Sequence, residues 1–140
     1  MTKRSERGAA LLETAITIPL LLLITVAIFE FGRAYQTWQV LTNAAREAAR
    51  YAITPGSTSE NATLISQKYM EGGALDNYPE AVVTMNSNVP LPVGTGTEVT
   101  IQYPFEFILL QPIAQLVVSG STAGAPITMS VKATMRNEAP

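Results

Sequence analysis

Glu13 is the residue of this sequence whose type and position demand chemistry. It stands five residues after Gly8 in RGAALLETAITIPLLLLITVAIFEFGRAY, and it is the one charged residue in the first turns of a long apolar run. Near the centre of a membrane helix an ionised acid costs roughly 2.5–3.5 kcal/mol, and less towards an end. An anchor alone would carry leucine there, so the acid asks for a partner. A second acid, Glu30, has Arg33 three residues on. That is helical pair spacing, and an exposed interfacial pair is worth only a few tenths of a kcal/mol. Of the two acids, Glu13 is the one expected to have a function.

The element that must position Glu13 is a helix. From Ala9 to Phe29 the chain would make a helix about 31 Å long, which matches a hydrocarbon core of about 30 Å. Leu20 to Phe29 is apolar on every side, as lipid-facing helices are. Lys3, Arg4 and Arg7 precede this run, and the positive-inside rule puts that end in the cytoplasm and the residues after about Arg33 across the membrane. Tyr35 and Trp38 fall where an interfacial aromatic belt would sit; ordinary packing under a soluble domain explains them equally well. Pro19 removes a backbone donor and crowds the carbonyl of Ala15, so a bend is expected there. A cleaved secretory signal is the competing reading. It is disfavoured by Glu13 and by a helical pattern that continues past Ala27 through Phe31, Tyr35, Trp38, Leu41, Ala45, Ala48 and Ala52.

Beyond Gly32 the helix turns amphipathic and alanine-rich in VLTNAAREAARYAITPG. Val40, Leu41, Ala44, Ala45, Ala48, Ala49 and Ala52 recur at three- and four-residue spacing, a face of small side chains that lets another element approach closely. Arg46, Glu47 and Arg50 mark the outer side, and Pro55-Gly56 closes the helix.

A short basic leader ending in glycine, a glutamate five residues later and a long apolar helix together resemble the type IV pilin-like proteins. With EFGR and NAAREAARYA added, residues 7–52 are similar to the TadE-like family of the tight-adherence pilus system, and TIQYPFEF and ITMSVKATMRNE continue the likeness more faintly. The resemblance implies cleavage by a prepilin peptidase between Gly8 and Ala9. It also implies a minor, pilin-like structural role, with other pilin-like subunits and the assembly platform as partners. The usual major pilins of that system are much shorter, so this chain is not expected to be the main filament subunit. Cleavage would free an amino group on Ala9, four residues before Glu13 on the same helical face, and the two charges would attract strongly in a low dielectric.

After the helix, to about residue 53, the chain reads as a soluble domain. Ser57 and Glu60 are placed as a capping box for a helix over about 58–71, ending at Gly72-Gly73. Three period-two patterns predict strands over about 80–86, 97–107 and 126–137, each with one apolar and one wet face. Asn86 to Gly96, rich in Pro and Gly, is expected to be a mobile hairpin loop. Pro104 makes its strand edge-like or bulged at that point. Ile108 to Val118 is apolar and too short to span a bilayer, so core packing is its expected use and a partner-docking patch the alternative. The expected fold class is α+β, a long N-terminal helix and a second helix with a three-stranded antiparallel sheet packed on the alanine-rich stem. The segments are a leader at 1–8, a membrane helix at 9–32 and a periplasmic domain at 33–140.

The sequence has no Cys and no His, which removes disulfides, thiol catalysis, the usual zinc ligands and His-based acid–base chemistry. Its formal net charge of -2 argues against nucleic acid as a partner. The acids are scattered and no Gly-rich phosphate loop follows a strand, so neither an enzyme nor a cofactor is expected. The alternative to a pilin-like subunit is an uncleaved, membrane-anchored periplasmic binding or adaptor domain.

Overall fold

The computed structural model describes residues 3–137, with the backbone alone for residues 3–7, 116 and 117. The leader side chains read above as the topological signal lie outside that description. The order of elements is helix α1 (Lys3–Ala52), helix α2 (Ser59–Gly72), a 3-10 turn (Tyr78–Glu80), strand β1 (Val82–Pro90), strand β2 (Thr95–Phe105), helix α3 (Leu110–Val117) and strand β3 (Ile127–Arg136). The chain is α+β, and it divides into two compact units, Met1–Arg33 with Glu106–Ala125, and Ala34–Phe105 with Pro126–Pro140.

In the second unit the core is the alanine face of α1. Leu41, Ala44, Ala45, Ala48 and Ala49 are fully buried, while Arg46, Glu47 and Arg50 are exposed. From α2 the core takes Ala62, Ser66 and Met70, and from β2 it takes Val99, Ile101, Tyr103 and Phe105. Alanine is small enough for close packing and carries no helix-propensity penalty, which suits a helix that must be both long and tightly covered. Gly73 shows how close that packing is: a side chain there would put its first carbon 2.5 Å from a methyl of Val40.

The sheet is antiparallel in the order β1-β2-β3, with β2 central. Its central strand buries alternate residues from Thr97 to Phe105, whereas the flanking strands are mostly half-buried on that face and Ile127 is exposed. β1 pairs with β2 from Val82↔Gln102 to Pro90↔Thr95, with a shift in register between Asn86 and Val89. Asn88 sits in that shift at a φ of 61°, a left-handed conformation that asparagine tolerates better than most residues. The segment over 86–96, expected to be a loop, is therefore mostly strand, with Asn86, Val89, Pro90, Thr95 and Gly96 paired. Pro104 lies beyond the last β1 partner and pairs with Thr128 on the other side, so its missing N–H interrupts no ladder with β1.

The cap of α2 differs from the expected one. Thr58, not Ser57, is the N-cap, its hydroxyl accepting from the Asn61 amide at 3.3 Å. Ser57 turns back instead, donating to the Ala52 carbonyl at 2.7 Å and so closing the end of α1. β2 also stops at Phe105, short of the expected 107, and the apolar stretch after it forms α3 rather than a simple connection.

Candidate functional site

In the first unit α1 presents two carboxylates in opposite settings. Glu13 is exposed among exposed apolar neighbours, including Leu11, Leu12 and Ile16. Among the described residues no side chain pairs with it. Its carbonyl accepts from the Thr17 hydroxyl at 2.7 Å, and Thr14 and Thr25 bond the carbonyls of Ala10 and Leu21 in the same way. Each hydroxyl in this apolar stretch is thus satisfied by the backbone one turn back and makes no demand on the surroundings. The Glu13 carboxylate is left as the polar group with an unmet demand. Gly8 and Ala9 are exposed and helical, and α1 runs unbroken through Pro19.

Glu30 was expected to be exposed beside Arg33. The pair forms, with Arg33 Nη1 2.6 Å from Glu30 Oε2, but Glu30 is only 2% exposed. The reason lies far along the chain. The backbone amide of Leu109 donates to Glu30 Oε1 at 2.6 Å, so both carboxylate oxygens are engaged. Leu109 is the N-cap residue of α3, and no side chain of its own caps that helix. The Glu30 carboxylate supplies negative charge where the helix leaves its first N–H groups unpaired, the end at which an anion is stabilising. A buried carboxylate that accepts two charge-assisted hydrogen bonds is satisfied and structural.

Helix geometry separates the two acids. At about 100° per residue, Glu13 points roughly 100° away from Glu30 around the α1 axis. The buried stripe of α1 in this unit is Val26 and Glu30, flanked by half-buried Leu23 and Ala27, and Glu13 lies off it. Tyr35 and Trp38, beyond the unit boundary, are both exposed, and the Tyr35 hydroxyl accepts from Gln39 Nε2 at 2.7 Å.

The second unit carries an open groove of about 470 Å³ between Gln36, Gln39 and Asn43 of α1 and Lys68 and Tyr69 of α2. Its walls offer amides, a phenol and one cation, but no carboxylate that could work with them as acid and base.

Residues 8–50, which take in Glu13, Glu30 and most of the alanine face, match the family model described as TadE-like protein. The N-terminal segment of this chain is similar to that family. No curated protein and no solved structure matches the chain. The matched segment begins at Gly8, and α1 over Gly8–Ala52 is long and apolar enough to cross a membrane. A single-pass anchor is compatible with it.

Proposed function

We propose that this chain is a minor, pilin-like structural subunit of a tight-adherence pilus, cleaved by a prepilin peptidase between Gly8 and Ala9 and assembled through α1. The observation that carries the reading is Glu13: an exposed carboxylate without a partner among the described residues, in the apolar part of the TadE-like segment. After cleavage the Ala9 amine supplies the missing cation. A pair between the amine of one subunit and Glu13 of the next sets the register of one helix against another, and low dielectric makes the wrong register costly. The surrounding exposed leucines and isoleucines supply non-directional contact, and the acid supplies the direction.

Before assembly α1 holds the chain in the bacterial cytoplasmic membrane. Lys3, Arg4 and Arg7 keep the N-terminus in the cytoplasm and the sheet lies on the far side. The partners are the prepilin peptidase, other pilin-like subunits, the assembly platform and the lipid bilayer. The test is the mass of the native N-terminus. A mature chain beginning at Ala9 is expected; one beginning near Ile28 overturns the reading in favour of a secretory signal.

The groove between α1 and α2 favours a second reading, an uncleaved anchored adaptor that binds a partner through its soluble domain. A full-length native chain, together with pili that form normally in its absence, would select it.

A further inference from the structure

From Phe107 to Val131 the chain carries no charged side chain. Ile108 and Val118, which bracket α3, are 63% and 60% exposed, and Leu109 is 50% exposed. Three large apolar side chains stand open on one uncharged segment, where none gains from facing water. The segment is held to α1 by the Leu109 amide on Glu30, and its return is packed as tightly. Gly124, at a φ of 80°, passes so close to the start of α3 that a side chain would meet the Gln111 amide at 2.6 Å.

Glu30 lies about 31 Å along α1 from Ala9, at the far edge of a hydrocarbon core about 30 Å thick. Val26, one turn closer to the N-terminus on the same face as Glu30, is buried, while Ile24, Ile28 and Phe29 stay open. The uncharged segment is thus fixed at the depth where hydrocarbon gives way to headgroups, beside side chains that already face outward. Its backbone is prepared for lipid as well. The Leu109 amide is taken by Glu30, Ile113 donates to the Leu109 carbonyl at 3.2 Å, and Val118 donates to Ala114 at 2.9 Å. Ser121 and Ala125 then close turns on Val118 and Thr122. Non-helical backbone at membrane depth is tolerated only with such partners.

We propose that residues 107–118 insert into the far leaflet of the bilayer beside α1, with Ile108, Leu109 and Val118 in the boundary between headgroups and acyl chains. The occupant of this apolar surface is lipid, because the Leu109 amide seats the segment on Glu30, at the end of the open apolar stretch of α1 that carries Ile28 and Phe29. The segment is a re-entrant wedge; its length excludes a second crossing. The proposal rests on the reading that α1 spans the membrane.

The chain has no cysteine, so single cysteines can be placed without background. Ile108→Cys, Val118→Cys, Leu21→Cys for the span and Lys132→Cys for the sheet would each be made in the full chain. Each is then labelled with an environment-sensitive fluorophore and reconstituted in phosphatidylethanolamine–phosphatidylglycerol vesicles. Quenching is read with aqueous iodide and with lipids bearing a nitroxide near the headgroup or deep in the acyl chain. Labels at 108 and 118 should lose iodide quenching and respond most to the shallow nitroxide, with 21 responding to the deep one and 132 to iodide. Iodide quenching at 108 and 118 with lipid quenching at 21 overturns the wedge and leaves the span standing. Iodide quenching at all four sites removes the span and the wedge with it. Shielding of 108 and 118 from both quenchers means that protein covers the patch, a second copy or another subunit, and overturns lipid as its occupant.

Discussion

Residues 8–29 and residues 37–52 belong to the same helix and have opposite surfaces. In the first stretch the large side chains point outward: Leu11, Leu12, Ile16, Ile28 and Phe29 are all well exposed. In the second the exposed positions are Trp38, Gln39, Asn43, Arg46, Glu47 and Arg50, all but one of them polar, and the buried ones are five alanines with Leu41 and Thr37. One stretch places its large apolar area on the outside, where only lipid or another helix would be a good solvent. The other keeps its core side chains small so that its own chain can cover them. The acids follow the same division. Glu13, on the outward-facing stretch, has no partner among the described residues; Glu30, where that stretch ends, is closed over by the chain that buries it. A carboxylate whose demand is met within the chain fixes structure, and one whose demand is unmet leaves a place for a neighbour, the role proposed above for Glu13.

The sharpest way to break this comparison is to remove the unmet demand. Glu13→Leu makes the helix more apolar, so insertion should persist and cleavage continue, while surface pili counted by microscopy fall to near zero. Wild-type piliation would show that the outward acid specifies nothing.

The covered stretch should respond in stability. Ala48 is fully buried, and Ala48→Leu overpacks the contact at a cost of about 3 kcal/mol, the upper end for inserted methylenes. Thermal melting of the piece from Arg33 onward would register this as a fall in Tm, and an unchanged Tm would mean that another subunit, rather than the sheet, lies against Ala48.

Between the two stretches, Glu30→Gln removes the charge but keeps an acceptor for the Leu109 amide, at a cost of about 1 kcal/mol. The readout is local: amide hydrogen exchange across 106–125 should quicken while the strands of the sheet keep their protection. Equal loosening everywhere would make Glu30 a general core residue and not the clamp of one segment.

The smallest effect is at Thr58. Its cap bond is long at 3.3 Å, so Thr58→Ala should cost only about 0.5 kcal/mol, the low end for a lost N-cap. Ser57→Ala tests the alternative cap. A larger loss there than at Thr58 would show that closing the end of α1 matters more than starting α2.

What the sequence made legible was whatever depends on near neighbours. The apolar length of α1, the alanine face at 44, 45, 48 and 49, and the alternation from Val99 to Phe105 are periodicities within one element, and the structure follows each of them. The burial of Glu30 was out of reach because the amide that covers it comes 79 residues later. Nothing in EFGR distinguishes a wet ion pair from a covered one. Three hydroxyl residues in a row at 57–59 left the cap of α2 uncertain by one position, since each can accept from the next turn. The extension of β1 through Asn86, Ser87 and Asn88 was hidden by composition: of these polar turn formers only Asn86 is paired, and Ser87 and Asn88 sit in the irregularity that lets the strand resume at Val89.

The connection between β2 and β3 has a consequence for the order in which the sheet comes together. β1 meets β2 across a tight turn at Leu91–Gly94, whose ends are bonded at 3.1 Å, whereas β3 reaches β2 only after the whole of 106–126 has been laid down. Loop-closure entropy makes the longer connection more expensive by about 1.5 kcal/mol. The hairpin should therefore form in microseconds and β3 should dock afterwards, leaving one edge of β2 bare in the interval. That edge is the vulnerable moment of this fold: a bare strand edge invites pairing with another chain, and Glu98, which Lys132 meets at 3.2 Å only in the finished pair, stands on β2 where a misplaced partner would meet charge.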